Sequence, residues 1–180
     1  MDASMAAAMG AAIGALGGLG GGWLALLGQG CQQQKQRETE RGRWRDELRR
    51  DAYSACIAST KQLSVAWWKF ADRVRKDGSD EEEWRVGFAE AHDAWVRFSE
   101  AVAAVSVAGP RTVVEAADTL RGAMYDLEVV GMDWFGAALR EGHEHLGGWE
   151  KRLKQAAEAK REPDRAFQKA AREALGTERP

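Results

Sequence analysis

The chain contains few of the residues that cross-link or break small folds, with only two cysteines and three prolines in 180 residues. Cys31 and Cys56 are too few for a disulfide framework, so we expect both thiols to be reduced and Cys56 to be a small packing residue. No stretch alternates apolar and polar residues with β-branched enrichment, so no strand is predicted. A phosphate-binding loop after a strand is therefore excluded, and the N-terminal glycines are not a nucleotide fingerprint.

Charge is also missing, entirely, from Ala3 to Gln34. This segment is mainly glycine, alanine and leucine, and Met5–Leu27 is long enough to span a bilayer, since a helix needs about 20 residues to do so. We therefore predict a Gly/Ala-rich transmembrane segment within residues 1–30. The alternatives are a flexible glycine-rich tail, a cleaved signal peptide, or a lipoprotein-type cleavage before Cys31. A signal peptide is disfavoured because no basic residue precedes the apolar run.

Basic residues follow this segment closely, and none precedes it. They are Lys35, Arg37, Arg41, Arg43, Arg45, Arg49 and Arg50. The positive-inside rule then predicts a single-pass protein of the cell membrane, with its N-terminus outside and residues 35–180 in the cytoplasm. Residues 31–47 are interpreted as a charged juxtamembrane stalk helix, in contact with the lipid bilayer or simply solvated.

Four glycines of the apolar segment recur at intervals of four residues: Gly10, Gly14, Gly18 and Gly22. On a helix they form one smooth face, the glycine stripe, which allows close backbone packing between membrane helices. The stripe therefore predicts a homo-oligomer. The alternative is that these glycines are low-complexity filler.

The remaining residues predict an all-α fold, with a helical bundle over 48–176 and a short tail over 177–180. Helices are predicted over Glu38–Lys76, from Ser79 to an end at Gly109-Pro110, around the stripe Val113–Ala138 up to a break bracketed by Gly142 and Gly148, and over Trp149–Leu175. Ser79 and Glu82 have the spacing of a capping box, and Pro163 predicts that the last helix is either interrupted or kinked nearby. Short connections favour a three- or four-helix antiparallel bundle with a long first helix.

Apolar residues at three- and four-residue spacing predict the buried face of each helix. For the first helix they are Leu48, Ala52, Ala55, Ser59, Leu63, Ala66, Phe70 and Val74. For the second they are Trp84, Phe88, Ala91, Trp95, Phe98, Val102 and Val105. For the third they are Val113, Ala117, Leu120, Met124, Leu127, Gly131, Trp134 and Ala138. For the last they are Trp149, Leu153, Ala156, Phe167 and Ala170.

Few residues are candidates for metal binding or catalysis. His143, Glu144 and His145 form a weak metal-binding candidate that requires a loop, because residues two apart on a helix point to opposite sides; the alternative is a solvated hinge. His92 and Asp93 are expected on the polar surface of the second helix. No catalytic constellation and no cofactor site is identified, so we expect a protein without enzymatic activity.

Two further features of the sequence bear on possible binding partners. Trp68 falls off the first helix's apolar stripe, near Ile57, and is interpreted either as packed by the fourth helix or as part of a partner-binding patch. Nucleic acid is not expected, because residues 51–180 hold 19 basic and 23 acidic side chains, a net charge of −4 by difference, which repels phosphate.

Three segments carry a resemblance: RRDAYSACIAS at 49–59, VSVAGPRTVVEAADTLRGAMYDL at 105–127, and DRAFQKAAREALG at 164–176. Together with the Gly/Ala span and Arg-rich stalk, they are similar to a group of uncharacterised actinobacterial single-pass membrane-anchored helical proteins. The resemblance implies a cytoplasmic helical domain on one membrane helix and implies no activity. The layout is also similar to that of the actinobacterial plasmid-spread proteins, on architecture alone.

Three functions are therefore compared. The first is a membrane-tethered, non-enzymatic helical interaction or scaffold protein that self-associates through the glycine stripe and binds an unidentified protein partner. The second is an accessory membrane protein of plasmid transfer or spread. The third is a metal- or ligand-binding helical bundle that uses the segment 143–145.

Overall fold

The computed structural model describes the backbone of residues 3–142 and 147–177, and the side chains of residues 37, 40–142 and 148–177. It divides into two compact units, Met1–Arg45 and Asp46–Pro180. The helices are α1 (Ala3–Arg75), α2 (Glu81–Ala108), α3 (Arg111–Glu141), α4 (Gly147–Ala159) and α5 (Arg161–Ala174). The predicted all-α class is confirmed, and within the described ranges the chain forms no strand.

Within the second unit, α1 and α2 run in opposite directions. Arg49 Nε donates to the carbonyl of Ala108, the last residue of α2, at 3.0 Å. At the other end of the pair, Arg73 Nη2 donates to Glu90 Oε1 at 3.0 Å. The short connection between the helices dictates this arrangement, since it cannot carry the chain back along the bundle.

Helices α4 and α5 together run antiparallel to α1. Arg75 Nη1 lies 3.1 Å from Glu150 Oε2 of α4, and the ring of Tyr53 meets that of Phe167 of α5 edge-on at 6.3 Å between centroids. The two helices are separated only by Lys160, so they occupy the place of a single fourth helix.

The break in this fourth helix was predicted near Pro163 and lies three residues earlier, at Lys160. Pro163 sits in the first turn of α5, where its missing N–H removes no intrahelical hydrogen bond. The interruption predicted near Pro163 is therefore present, and the proline lies in the first turn of the helix that follows it.

The N-terminus of α2 corrects the predicted capping box by one residue. Asp80 is the cap, because its Oδ1 accepts a hydrogen bond from the backbone N–H of Glu83 at 2.9 Å. Ser79 instead accepts a hydrogen bond from Trp84 Nε1 at 2.9 Å. The turn before this cap is closed by Gly78 at φ +76°, a conformation that a residue without Cβ adopts at little cost.

The α3 prediction is confirmed at every position, since all eight stripe residues are buried. The α1 prediction is wrong at two, because Leu48 is 42% exposed and Ala55 is also exposed. Leu48 lies beside Arg49, at the level where α2 ends. Further along α1 the buried face is broader than one stripe, because it contacts several helices; it adds Tyr53, Cys56, Thr60, Trp67 and Ala71.

Among the helices searched over the described residues, none has the length and apolarity that crossing a bilayer requires. The predicted transmembrane segment Met5–Leu27 falls in a part of α1 whose side chains lie outside the described set.

Candidate functional site

A single buried carboxylate joins three helices in the middle of the bundle. Glu128 of α3 is only 2% exposed. Trp67 of α1 donates its Nε1–H to Glu128 Oε2 at 2.9 Å, and His92 Nδ1 of α2 lies 3.2 Å from Glu128 Oε1. Both carboxylate oxygens thus have a partner, as a buried ionisable group requires.

Burial raises the pKa of Glu128 above its ordinary value, while its hydrogen bonds with His92 and Trp67 act in the opposite direction. Desolvation is the larger effect because it penalises only the charged form. The carboxylate is therefore easier to protonate in the folded chain than in the unfolded one.

This shift gives a pH prediction for Glu128→Gln. When the pKa of a carboxyl group is higher in the folded chain than in the unfolded chain, ionisation of the group destabilises the fold. This destabilisation grows as pH rises above the pKa of the unfolded chain, about 4.3. Glutamine does not ionise, and its amide can accept from Trp67 and donate to His92. We expect the variant to gain stability relative to the parent as pH rises from 4 to 8 in urea titrations.

Glu90→Gln is the control for that measurement. The pKa of Glu90 lies below its ordinary value, chiefly because Arg73 donates a hydrogen bond to it. Its stabilising contribution is present at neutral pH and is lost as pH falls, so this variant should lose stability relative to the parent as pH rises. Parallel pH profiles for the Glu128→Gln variant and the parent would contradict the assignment.

Aromatic rings continue outward from the carboxylate along the α2–α3 seam, the line where these two helices pack together. Phe88 stacks on Phe135 with centroids 4.3 Å apart, and the His92 ring stacks on Phe88 at 6.1 Å. One turn further, Trp95 lies 5.9 Å from Tyr125. Tyr125 is 53% exposed, so this seam presents aromatic surface to its surroundings.

A second surface, the basic groove, runs between α1 and α2. It is an open groove of about 420 Å³, lined among others by Lys61, Val65 and Lys69 from α1 and by Glu90, Ala94 and Arg97 from α2. Val65 is 51% exposed and Ala94 is buried, so the groove presents apolar surface among three basic side chains and the carboxylate of Glu90.

One hydroxyl and one amine lie close together where α4 gives way to α5. Lys160 Nζ donates to Ser64 Oγ at 2.5 Å, and Ser64 Oγ in turn donates to the carbonyl of Thr60 at 2.8 Å. Burial lowers the pKa of Lys160. Because the Ser64 proton points to Thr60 and the amine acts as donor, the pair is not arranged for Lys160 to deprotonate Ser64.

The predicted packing role of Cys56 agrees with its surroundings. Its side chain is fully buried, and burial is the main reason that its thiol pKa is raised to about 12. A thiol held so strongly in its protonated form is a poor nucleophile.

Of the sequence-predicted site residues, Ile57 and Trp68 have described side chains. Ile57 and Trp68 are both partly buried and pack against the core, and whether they contact a partner stays a prediction. Gly10, Gly14, Gly18 and Gly22 lie within α1, but their surroundings lie outside the described side chains. His143, Glu144 and His145 lie outside the described residues. In the part of the chain that is described, no three His, Cys, Asp or Glu residues are grouped to hold a metal ion.

Sequence reasoning missed Glu128 and placed His92 on a polar surface. The His92 side chain is 53% exposed, yet its ring stacks on Phe88 and its Nδ1 reaches Glu128. A signal for Glu128 was present, since it follows Met124 by four residues and precedes Gly131 by three, the spacing of the α3 stripe. The basic groove had no such signal, because its edges come from two helices.

Comparisons with known proteins supply no relative. A scan against protein-family models gives no match, and searches of curated proteins and of solved structures give none either. The fold and its surfaces define an all-α bundle with a buried polar centre. In the absence of a relative, the residues of this chain are the basis for proposing its function.

Proposed function

We propose that this chain is a membrane-tethered, non-enzymatic helical interaction protein that self-associates through the glycine stripe. The observation that supports it most directly is that residues 10–22 lie within a helix, α1. On a helix, glycines four residues apart share a face, as helix pairing requires.

The distribution of charged residues supports the membrane tether. Residues 3–34 contain no charged side chain, and the basic residues that follow favour the cytoplasmic side of a membrane. In this proposal the N-terminus lies outside the cell and the bundle lies in the cytoplasm. Membrane attachment is tested by ultracentrifugation of lysed cells: full-length, unprocessed protein should sediment with the membranes and be released by detergent. Recovery in the supernatant without detergent would contradict the tether.

Self-association gives the corresponding prediction for Gly14→Ile/Gly18→Ile. Two branched side chains on the stripe hold the helix backbones apart, so we expect the dissociation constant in mild detergent to rise roughly tenfold or more, which corresponds to about 1.4 kcal/mol. Sedimentation equilibrium of the full-length protein measures it.

The matched control is Ala12→Ile/Gly20→Ile, which adds comparable apolar bulk to the opposite face of the same helix. It should leave the oligomer unchanged. Monomers in all three proteins, or equal weakening in both variants, would remove the stripe from the proposal.

A further inference from the structure

The chemistry of the basic groove goes beyond self-association and identifies a class of partner. We propose that this groove docks an acidic amphipathic helix of a partner protein, an inference that rests on the proposed interaction function and deepens it. It would make α1 and α2 the receptor surface of the bundle.

The spacing of the groove residues on α1 provides the first argument. Lys61, Val65 and Lys69 follow each other at four-residue intervals, so they line one face of α1 with an exposed apolar residue between two ammonium groups. The two lysines are about 12 Å apart along the axis, at roughly 1.5 Å per residue. Arg97 adds a cation from the α2 side.

The cations of the groove make no close ion pair. Within the described part of the chain, Lys61, Lys69 and Arg97 form no salt bridge; the groove carboxylate Glu90 is bound by Arg73, and the charge of Lys69 makes a smaller contribution to lowering the Glu90 pKa. The bundle is acidic, with a net charge of −4 over residues 51–180. An acidic partner is thus repelled by most of the bundle and attracted to this groove, which is the electrostatic basis of an oriented encounter.

The backbone of the lining helices decides the conformation of the partner. Helices α1 and α2 satisfy their own N–H and C=O groups along the groove, so they offer no open edge to an extended peptide. A partner segment gains no backbone hydrogen bonds from these helices, which favours a helix, since a helix satisfies its own backbone groups. Two acidic residues flanking a leucine at four-residue spacing match Lys61, Val65 and Lys69.

The shape of the surface favours a peptide over a lipid bilayer. The groove lies between two helices, with the buried Ala94 at its floor and the Glu90 carboxylate on its wall. A bilayer surface is instead contacted by apolar side chains that project from one helix into the headgroup region. The experiment must therefore distinguish binding of an acidic peptide from binding of an anionic lipid to the same groove.

The test measures peptide binding to full-length protein in an uncharged detergent. The probe is a fluorescent 15-residue helical peptide with a central Glu-x-x-x-Leu-x-x-x-Glu pattern, and its anisotropy is titrated against the parent and Lys61→Glu/Lys69→Glu. We expect saturable binding that weakens at least tenfold in the variant. A peptide with lysines in place of both glutamates should not bind.

The matched control is Lys151→Glu/Lys154→Glu, the same charge change on exposed positions of α4, which should bind within twofold of the parent. Circular dichroism checks that each variant is folded, and Arg97→Ala, with a smaller loss, provides a milder variant. Absence of binding to the parent, or equal loss in the control, would overturn the proposal. So would displacement of the peptide by soluble short-chain phosphatidylglycerol whose own binding requires Lys61 and Lys69.

The glycine-stripe variant Gly14→Ile/Gly18→Ile separates this inference from the proposed self-association. It should bind the peptide as the parent does, at one peptide per chain. If the parent protein forms no oligomer but binds the peptide, the self-association proposal is contradicted and the docking proposal is supported. If the parent forms the oligomer but binds no peptide, only the docking proposal is contradicted.

Discussion

Replacing Trp67 by alanine is expected to lower the free energy of unfolding by about 3–5 kcal/mol, the range for truncating a large buried aromatic side chain. Trp67 is fully buried, and its ring meets those of Phe70 at 5.4 Å and Phe88 at 6.1 Å between centroids. The same change removes the hydrogen bond to Glu128 and leaves one carboxylate oxygen without its donor. Urea unfolding followed by far-ultraviolet circular dichroism measures the loss.

Two companion variants separate packing from hydrogen bonding. Trp67→Phe keeps much of the apolar bulk but removes the donor, and we expect part of the loss to remain, about 1–3 kcal/mol for an unsatisfied buried acceptor. Trp44→Ala removes an indole that is 64% exposed and should change stability by less than about 0.5 kcal/mol. Equal effects at Trp67 and Trp44 would show that the α1 core is assigned wrongly.

Gly131→Ala is expected to destabilise the bundle by about 1–3 kcal/mol, although alanine is the better helix former. A Cβ at this position would lie 2.2 Å from one carbon of the Trp67 ring and 2.4 Å from two others. The ring is buried and held by neighbouring aromatics, so it cannot move aside without disturbing the core. For a chain of this size each kcal/mol corresponds to roughly 2–4 °C in melting temperature.

Gly122 provides the matched control on the same helix. A Cβ there would meet nothing within 4 Å, so Gly122→Ala should stabilise α3 by up to about 1 kcal/mol. In a Trp67→Phe background the outer ring that blocks Gly131 is gone, and Gly131→Ala should cost less than in the parent. An unchanged cost in that background would contradict the contact, because contacting residues are the ones expected to couple.

The two proposed interactions reinforce each other if both hold. An oligomer formed through the glycine stripe carries several copies of the basic groove, and a partner with more than one acidic helix would bind it multivalently. Disrupting Gly14 and Gly18 would then weaken binding of such a partner without changing the affinity for a single helix. This is the behaviour of a scaffold, in which binding strength depends on assembly as well as on each contact.

The buried Glu128 has a structural role that accounts for its position. A carboxylate bonded by Trp67 of α1 and by His92 of α2 is satisfied in only one alignment of the three helices, whereas aliphatic contacts tolerate sliding. We therefore interpret it as a group that specifies helix register, at some cost in stability. The Glu128→Gln variant retains this geometry while removing the charge.

Sequence periodicity predicted the apolar stripe of α3 correctly from Val113 to Ala138, because period alone identifies one apolar face, but it missed Glu128 and Ala137, which are also buried on this helix. It was less accurate for α1, where contacts with several helices widen the buried face and the ends of neighbouring helices expose Leu48. The cap of α2 shifted from Ser79 to Asp80, since adjacent polar residues can both satisfy the capping pattern and only backbone geometry distinguishes them.

Local propensity and spacing are enough to predict the all-α class, the approximate helix ends and most core positions of α2 and α3. The packing of the helices is what places Glu128 between Trp67 and His92 and brings Lys61 and Arg97 to the edges of one groove. Within each of these two groups the residues come from different helices and are 25 to 61 positions apart in the sequence. No local pattern encodes which turns of two helices come to lie side by side. Their alignment is set by how the side chains of neighbouring helices pack.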